Sequence, residues 1–217
     1  MATTAPERQQ ILSQVNTVAV NDLVDLWRRA SNLSSEEFRT FILDAFPDVA
    51  DPYAAMAAQL AADWYDESAP NLAYQATPTG TPNVQALRDS TKWALGAYGD
   101  AGLARLAGTL QRAVFNGARD TIIDNAAREQ GARWARHASA NACEFCRLLA
   151  TRGAAYGSRD KAMKAHDHCH CVAIEVRPGS TYEPAPYVAE FEQQYNDARR
   201  AAGSGDLTKI LAAMRQQ

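Results

Sequence analysis

The chain has four cysteines, and all lie in one stretch: Cys143-Glu-Phe-Cys146 and, farther on, His166-Asp-His-Cys169-His-Cys171, which also carries three of the four histidines. Thiolates and neutral imidazoles are the ligands of tetrahedral zinc. A C-x-x-C pair reaches one ion from a tight turn, and a distant His/Cys cluster supplies the remaining corners. The chemistry predicted is a closed, structural zinc site. His166 and Cys169, three apart, can converge from one turn. In extended chain Cys169 and Cys171 point to the same face, so Cys171 can take the place of His166. The candidate ligands are therefore Cys143, Cys146, His166, Cys169 and Cys171, and the spacing leaves open which four bind. Metal-free buried thiols are the plain alternative. A catalytic zinc would need a carboxylate base, and although Glu144 and Asp167 are near in sequence, nothing gives them a role.

The surrounding sequence predicts mostly helices. From Ile11, apolar positions at Val15, Val18, Ala19, Leu23 and Leu26 recur at three and four and define one buried stripe. Ser34-Ser-Glu-Glu37 has capping-box spacing and opens a helix with Phe38, Phe41 and Ile42 that is expected to stop before Pro47. Asp51-Pro52 predicts another start, with Met56, Leu60 and Trp64 on the core face. Residues 71–82, rich in Pro and Thr, predict a loop with a short extended piece at Leu72–Tyr74, and Thr81-Pro82 is expected to cap the next helix. Asp100 opens a helix burying Leu103, Leu106, Leu110 and Val114.

A period nearer two at 131–136 predicts a strand leading into a turn at Cys143, and Cys171-Val-Ala-Ile-Glu-Val176 predicts a second strand. Two tail helices are expected near 187–201 and 206–215, separated by Gly203-Ser-Gly205. The expected fold is mostly α (α+β), divided into a helical region 1–99, a core 100–180 with the zinc site, and a linker with tail helices over 181–217.

Charge is uneven. Residues 1–100 carry 6 Lys/Arg against 13 Asp/Glu, whereas residues 101–164 carry 11 against 5. Arg105, Arg112 and Arg119 repeat every seven residues and so share a helix face. Such a face predicts either contact with an acidic partner or phosphates, or pairing with the acidic first third of the same chain. No apolar run is long enough to span a membrane, so no membrane contact is expected. The N-terminus lacks a basic segment followed by an apolar one, which predicts folding in a reducing cytoplasm where clustered cysteines bind metal.

Trp134-Ala-Arg136, Ala142-Cys143-Glu-Phe-Cys146 through Arg152-Gly153-Ala-Ala-Tyr156, and His166-Asp-His-Cys169-His-Cys171 together resemble the core of the MuF-like head morphogenesis proteins of tailed bacteriophages, closest to actinobacterial-phage forms. That family pairs a C-x-x-C with a downstream His-x-x-Cys-x-Cys, matched here by Cys143, Cys146, His166, Cys169 and Cys171. The resemblance is strongest over 130–180 and extends to the tail. It implies a minor capsid protein inside the virion at the portal vertex, assembled in the host cytoplasm, with the portal protein and the major capsid or scaffold protein as partners and packaged DNA as a further contact. Relatives labelled capsid maturation protease make that the alternative, and a DNA-binding or nuclease-like protein the third. No catalytic residue is assigned. His137-Ala-Ser139 is the one His/Ser proximity, and it has no acid to orient it. The expectation is a non-enzymatic protein.

Overall fold

The computed structural model describes residues 2–80, 82–97, 99–156 and 167–216. Its frame is three long helices. Helix α1 (Ala5–Ala30) buries Leu12, Ala19, Leu23, Leu26 and Ala30. Val18 was expected on that stripe but is 53 % exposed. One residue is a turn of about 100°, so a stripe centred on Ala19 and Leu23 leaves Val18 outside it.

Helix α2 (Ser35–Glu67) begins as the sequence predicts: the Glu37 backbone N–H donates to Ser34 Oγ, and the Glu37 carboxylate accepts from the Ser34 N–H at 3.1 Å. It does not stop at Pro47 or restart at Pro52; one helix runs through both prolines. An interior proline costs roughly 3 kcal/mol, and here tertiary packing overrides that cost. Beyond the prolines the core face of α2 is an alanine stripe, Ala50, Ala54, Ala57, Ala58 and Ala61, which lets another helix approach closely. The approach is so tight at Gly117 that a Cβ there would lie 2.3 Å from the Ala54 carbonyl oxygen. Alanines 57 and 58 fill the core side, and the neighbouring Met56 is 49 % exposed rather than buried as expected.

Residues 68–80 form the expected loop, without a strand at Leu72–Tyr74. Helix α3 (Val84–Ala94) is capped by Asn83, whose side chain accepts from the Ala86 N–H, and Thr81 of the expected Thr81-Pro82 cap lies outside the described residues. Helix α4 (Asp100–Arg128) starts at the predicted residue and supplies the centre of the core, burying Leu106, Leu110, Val114, Phe115, Ile122 and Ile123. It packs against α1, α2, α3 and a two-stranded antiparallel sheet.

The sheet pairs β1 (Arg133–His137) with β2 (Val172–Val176), with Trp134 opposite Glu175 and Arg136 opposite Ala173. Between the strands lies a short helix, α5 (Glu144–Ala150), where the sequence predicts only a turn. The tail helices α6 (Val188–Ala202) and α7 (Leu207–Met214) pack on each other through Ala198, Ile210 and Met214. Gly203, in the left-handed region at φ 57°, ends α6 where the sequence places the separator. The fold is thus mostly α with one small sheet. A single hydrophobic cluster joins Leu12 of α1, Ile42 of α2, Leu110 of α4 and Val172 of β2. Among the described residues, no helix is long and apolar enough to cross a membrane.

Candidate metal centre

Two chain segments distant in sequence meet at one end of the sheet. After β1 the chain turns and enters α5 with Cys143 as its N-cap residue, which puts Cys146 in the first turn, facing inward and 2 % exposed. From the other side the chain enters β2 through Cys169 and Cys171, each 3 % exposed. The sulfurs of Cys146, Cys169 and Cys171 lie within 4.8 Å of one another. Cys143 packs against this cluster, and its thiol is hydrogen-bonded to that of Cys146.

The sulfurs are not bonded to one another, and they stand closer together than thiolates do around a bound ion. Cys146 and Cys169 are 3.3 Å apart and Cys169 and Cys171 3.0 Å. A disulfide needs about 2.05 Å. Thiolates held at ~2.3 Å around one tetrahedral zinc sit roughly 3.8 Å apart. Three buried, soft donors converging from two segments are a donor set suited to zinc or another thiophilic ion.

The electrostatics are divided among the thiols. Hydrogen bonds with Cys143, Cys169 and Cys171, together with burial, push the Cys146 thiol up. Cys171 is held well below the usual thiol range, first by hydrogen bonds from Cys146 and Cys169 and then by the guanidinium charges of Arg119 and Arg136. The end of the cluster at Cys171 is therefore the electron-rich one.

Helix α4 forms the floor. Gly108, Gln111, Arg112, Phe115 and Arg119 lie at helical spacing along one face and seat the loop 167–171. Arg112 pairs with Asp167 at 3.1 Å. Gln111 Nε2 lies 3.1 Å from His170 Nε2, and the Phe115 ring meets the His170 ring edge-on. A Cβ on Gly108 would come within 2.9 Å of His168 Nε2.

The predicted ligands Cys146, Cys169 and Cys171 are thus brought together with Cys143 beside them, whereas His166 lies outside the described residues. The three arginines do share a face of α4, but it is not an open basic stripe. Arg105 lies over the Trp93 ring, 4.7 Å from its centre. Arg112 is engaged by Asp167, and Arg119 is 1 % exposed with its guanidinium on the cysteine cluster. The loop 167–171 covers the part of the helix that the sequence leaves bare. Arg105 and Arg112 do reach the first hundred residues, but at uncharged partners, the Trp93 carbonyl and ring and the Ser90 hydroxyl. The buried pair linking that region to the sheet runs the other way, from Arg8 to Glu175 at 2.7 Å.

Glu144 is engaged by Arg215 and Asp167 by Arg112, so both carboxylates near the cysteines have structural partners. His137 is 5 % exposed at the end of β1, with its imidazole pushed toward the neutral form by burial. Sequence reasoning misses Arg136, whose Nη1 lies 2.9 Å from Cys171 Sγ. The usable signal is its position in a short strand aimed at the C-x-x-C, where a charge without solvent requires a counter-charge.

No curated protein and no solved structure matches the chain. The family model described as VG15 protein matches residues 2–198, nearly the whole chain. On that match the chain belongs to the VG15 protein family, a phage-associated family.

Proposed function

We propose that this protein is a minor capsid component of a phage, acting in head morphogenesis at the portal vertex inside the capsid without enzymatic activity, and that it contains a structural zinc. Cys146, Cys169 and Cys171 would hold the ion together with Cys143, with His166 as the alternative fourth ligand. When bound, zinc would cross-link the start of α5 to the entry of β2.

The convergence of three buried thiols is the observation that carries this reading. A structural rather than catalytic role is supported by the exposure of those residues, 2–3 %, which leaves little access for a substrate. Membership of a phage-associated family supports the virion assignment, and the MuF-like pattern of Cys143, Cys146, His166, Cys169 and Cys171 supports the portal vertex.

The test has two arms. Protein purified under reducing conditions without chelator is expected to carry about one zinc per chain. Procapsids assembled with a tagged copy are expected to show the tag at one vertex, on the inside. Absence of metal would remove the zinc. A tag spread over the whole shell, or absent from assembled heads, would remove the portal assignment.

A further inference from the structure

Two guanidinium groups stand against the cysteine sulfurs from different elements. Arg119 of α4 donates from Nη1 to the Cys171 carbonyl at 2.9 Å, and the same nitrogen lies 3.6 Å from Cys171 Sγ and 3.9 Å from Cys169 Sγ. Asn116 Oδ1 accepts from its Nη2 at 2.8 Å and from its Nε at 3.2 Å, which fixes the plane of the guanidinium. Arg136 of β1 donates from Nη1 to Cys171 Sγ at 2.9 Å. Both arginines are 1 % exposed.

A guanidinium stays charged at any ordinary pH, and burying one is costly unless negative charge lies beside it. The partners of Arg119 given above are an amide, a carbonyl and two sulfurs, so the sulfurs are its counter-charge. Around a divalent ion, three thiolates leave one surplus negative charge and four leave two. We propose that Arg119 and Arg136 form a guanidinium clamp on a thiolate-rich metal centre. The clamp neutralises the surplus charge of the centre and ties it to α4 and β1. Arg119 acts through Cys171 as a positioning residue: its fork spans the Cys171 carbonyl, the sulfurs and Asn116, and so fixes the Cys171 backbone as well as its charge. The proposal rests on the metal reading above.

The full-length chain is loaded with zinc and titrated against a chromophoric chelator, and a parallel sample is loaded with cobalt(II). Arg119→Met and Arg136→Met are expected to hold zinc about 10–100-fold less tightly, the usual effect of removing a partner that supports metal ligands. The cobalt charge-transfer band, which reports the number of thiolates, should keep its wild-type intensity per ion. Arg119→Lys should fall between, because it keeps the charge and loses the fork. Hydrogen exchange of the wild type gives a reading that needs no variant: zinc removal should loosen amides of α4 around Asn116–Asp120 and of β1, as well as the cysteine segments.

Met variants that fold and hold zinc as tightly as the wild type overturn the clamp. Should those variants not fold, exchange changes confined to residues 143–150 and 167–171 overturn it. A wild-type chain that takes up neither zinc nor cobalt sinks the metal reading and the clamp together, whereas a loaded wild type with indifferent Met variants sinks the clamp alone.

Discussion

Gly108 lies directly beneath His168: a Cβ built on it would sit 2.9 Å from the imidazole Nε2 and 3.0 Å from Asp167 Cβ. The contact is a seat for the loop that carries Cys169 and Cys171. His168 has a φ of 65°, the left-handed region that L side chains rarely adopt, so the loop turns sharply where it meets the helix. Gly108→Ala tests whether that seat matters. Alanine improves helix propensity by about 1 kcal/mol, but overpacking a close contact costs roughly 1–3 kcal/mol. Because the Asp167 Cβ cannot swing away without moving backbone, the net expected outcome is a lower melting temperature and weaker zinc retention. Thermal unfolding and chelator competition measure the two effects. Unchanged zinc retention in a folded variant would show that the loop does not need the glycine.

How much of this was legible beforehand depends on whether the signal is local. Ser34 and Glu37 are three apart and cap one helix end, so their spacing alone reveals the cap. The meeting of Cys146, Cys169 and Cys171 is legible because thiols clustered at such spacing have few uses that would keep them apart. The path of α2 through Pro47 and Pro52 was not legible, since the local cost of proline is overridden by alanines meeting Gly117 on a helix distant in sequence. Arg112 and Arg119 illustrate the same limit. Their shared face follows from helical periodicity, but what covers it is the loop 167–171, and periodicity says nothing about that.

Arg8 and Glu175 make a two-pronged ion pair, 2.7 and 2.8 Å, with side chains 4 % and 2 % exposed. It fastens the first turn of α1 to β2, four residues beyond Cys171. Glu175→Gln leaves a buried guanidinium without its counter-charge and is expected to cost about 3–5 kcal/mol in denaturant unfolding. The double replacement Arg8→Met, Glu175→Met should recover most of that loss, because an apolar pair of similar volume removes the desolvation penalty of both charges. A double variant as unstable as the single one would mean that the geometry of the pair, rather than its charge balance, holds α1 on the sheet.

Burial lowers the pKa of His137 from its ordinary 6.5. The nearby Cys171 acts in the opposite direction and is the smaller influence. The imidazole is therefore neutral in the folded chain. As pH falls below about 6.5 the unfolded chain takes up the proton first, so stability present above that pH is lost as the pH drops toward the folded value. Unfolding midpoints at about pH 7.5 and about pH 5.5 are expected to fall less in His137→Gln than in the wild type. The thiolates titrate in both proteins, so the difference between the two slopes isolates His137. Equal slopes would mean that the imidazole is protonated without penalty in the fold.

The last expectation concerns nucleic acid. Arg105, Arg112 and Arg119 share a helix face, yet each is engaged: Arg105 over Trp93, Arg112 with Asp167 and Ser90, Arg119 with the cysteine cluster. Tracking phosphates takes several accessible charges, each adding about one unit to the salt slope of binding. A face with only two half-buried guanidiniums, on a chain of net charge -3, supplies too few. Nonspecific duplex DNA should therefore bind negligibly at physiological salt, and at low salt Arg105→Ala should reduce the slope by about one. Arg119→Ala should leave the slope unchanged and show its effect in zinc retention instead. Micromolar binding that persists at physiological salt and disappears in an Arg105→Glu, Arg112→Glu variant would mean that the loop 167–171 lifts from α4 and opens the face to phosphates.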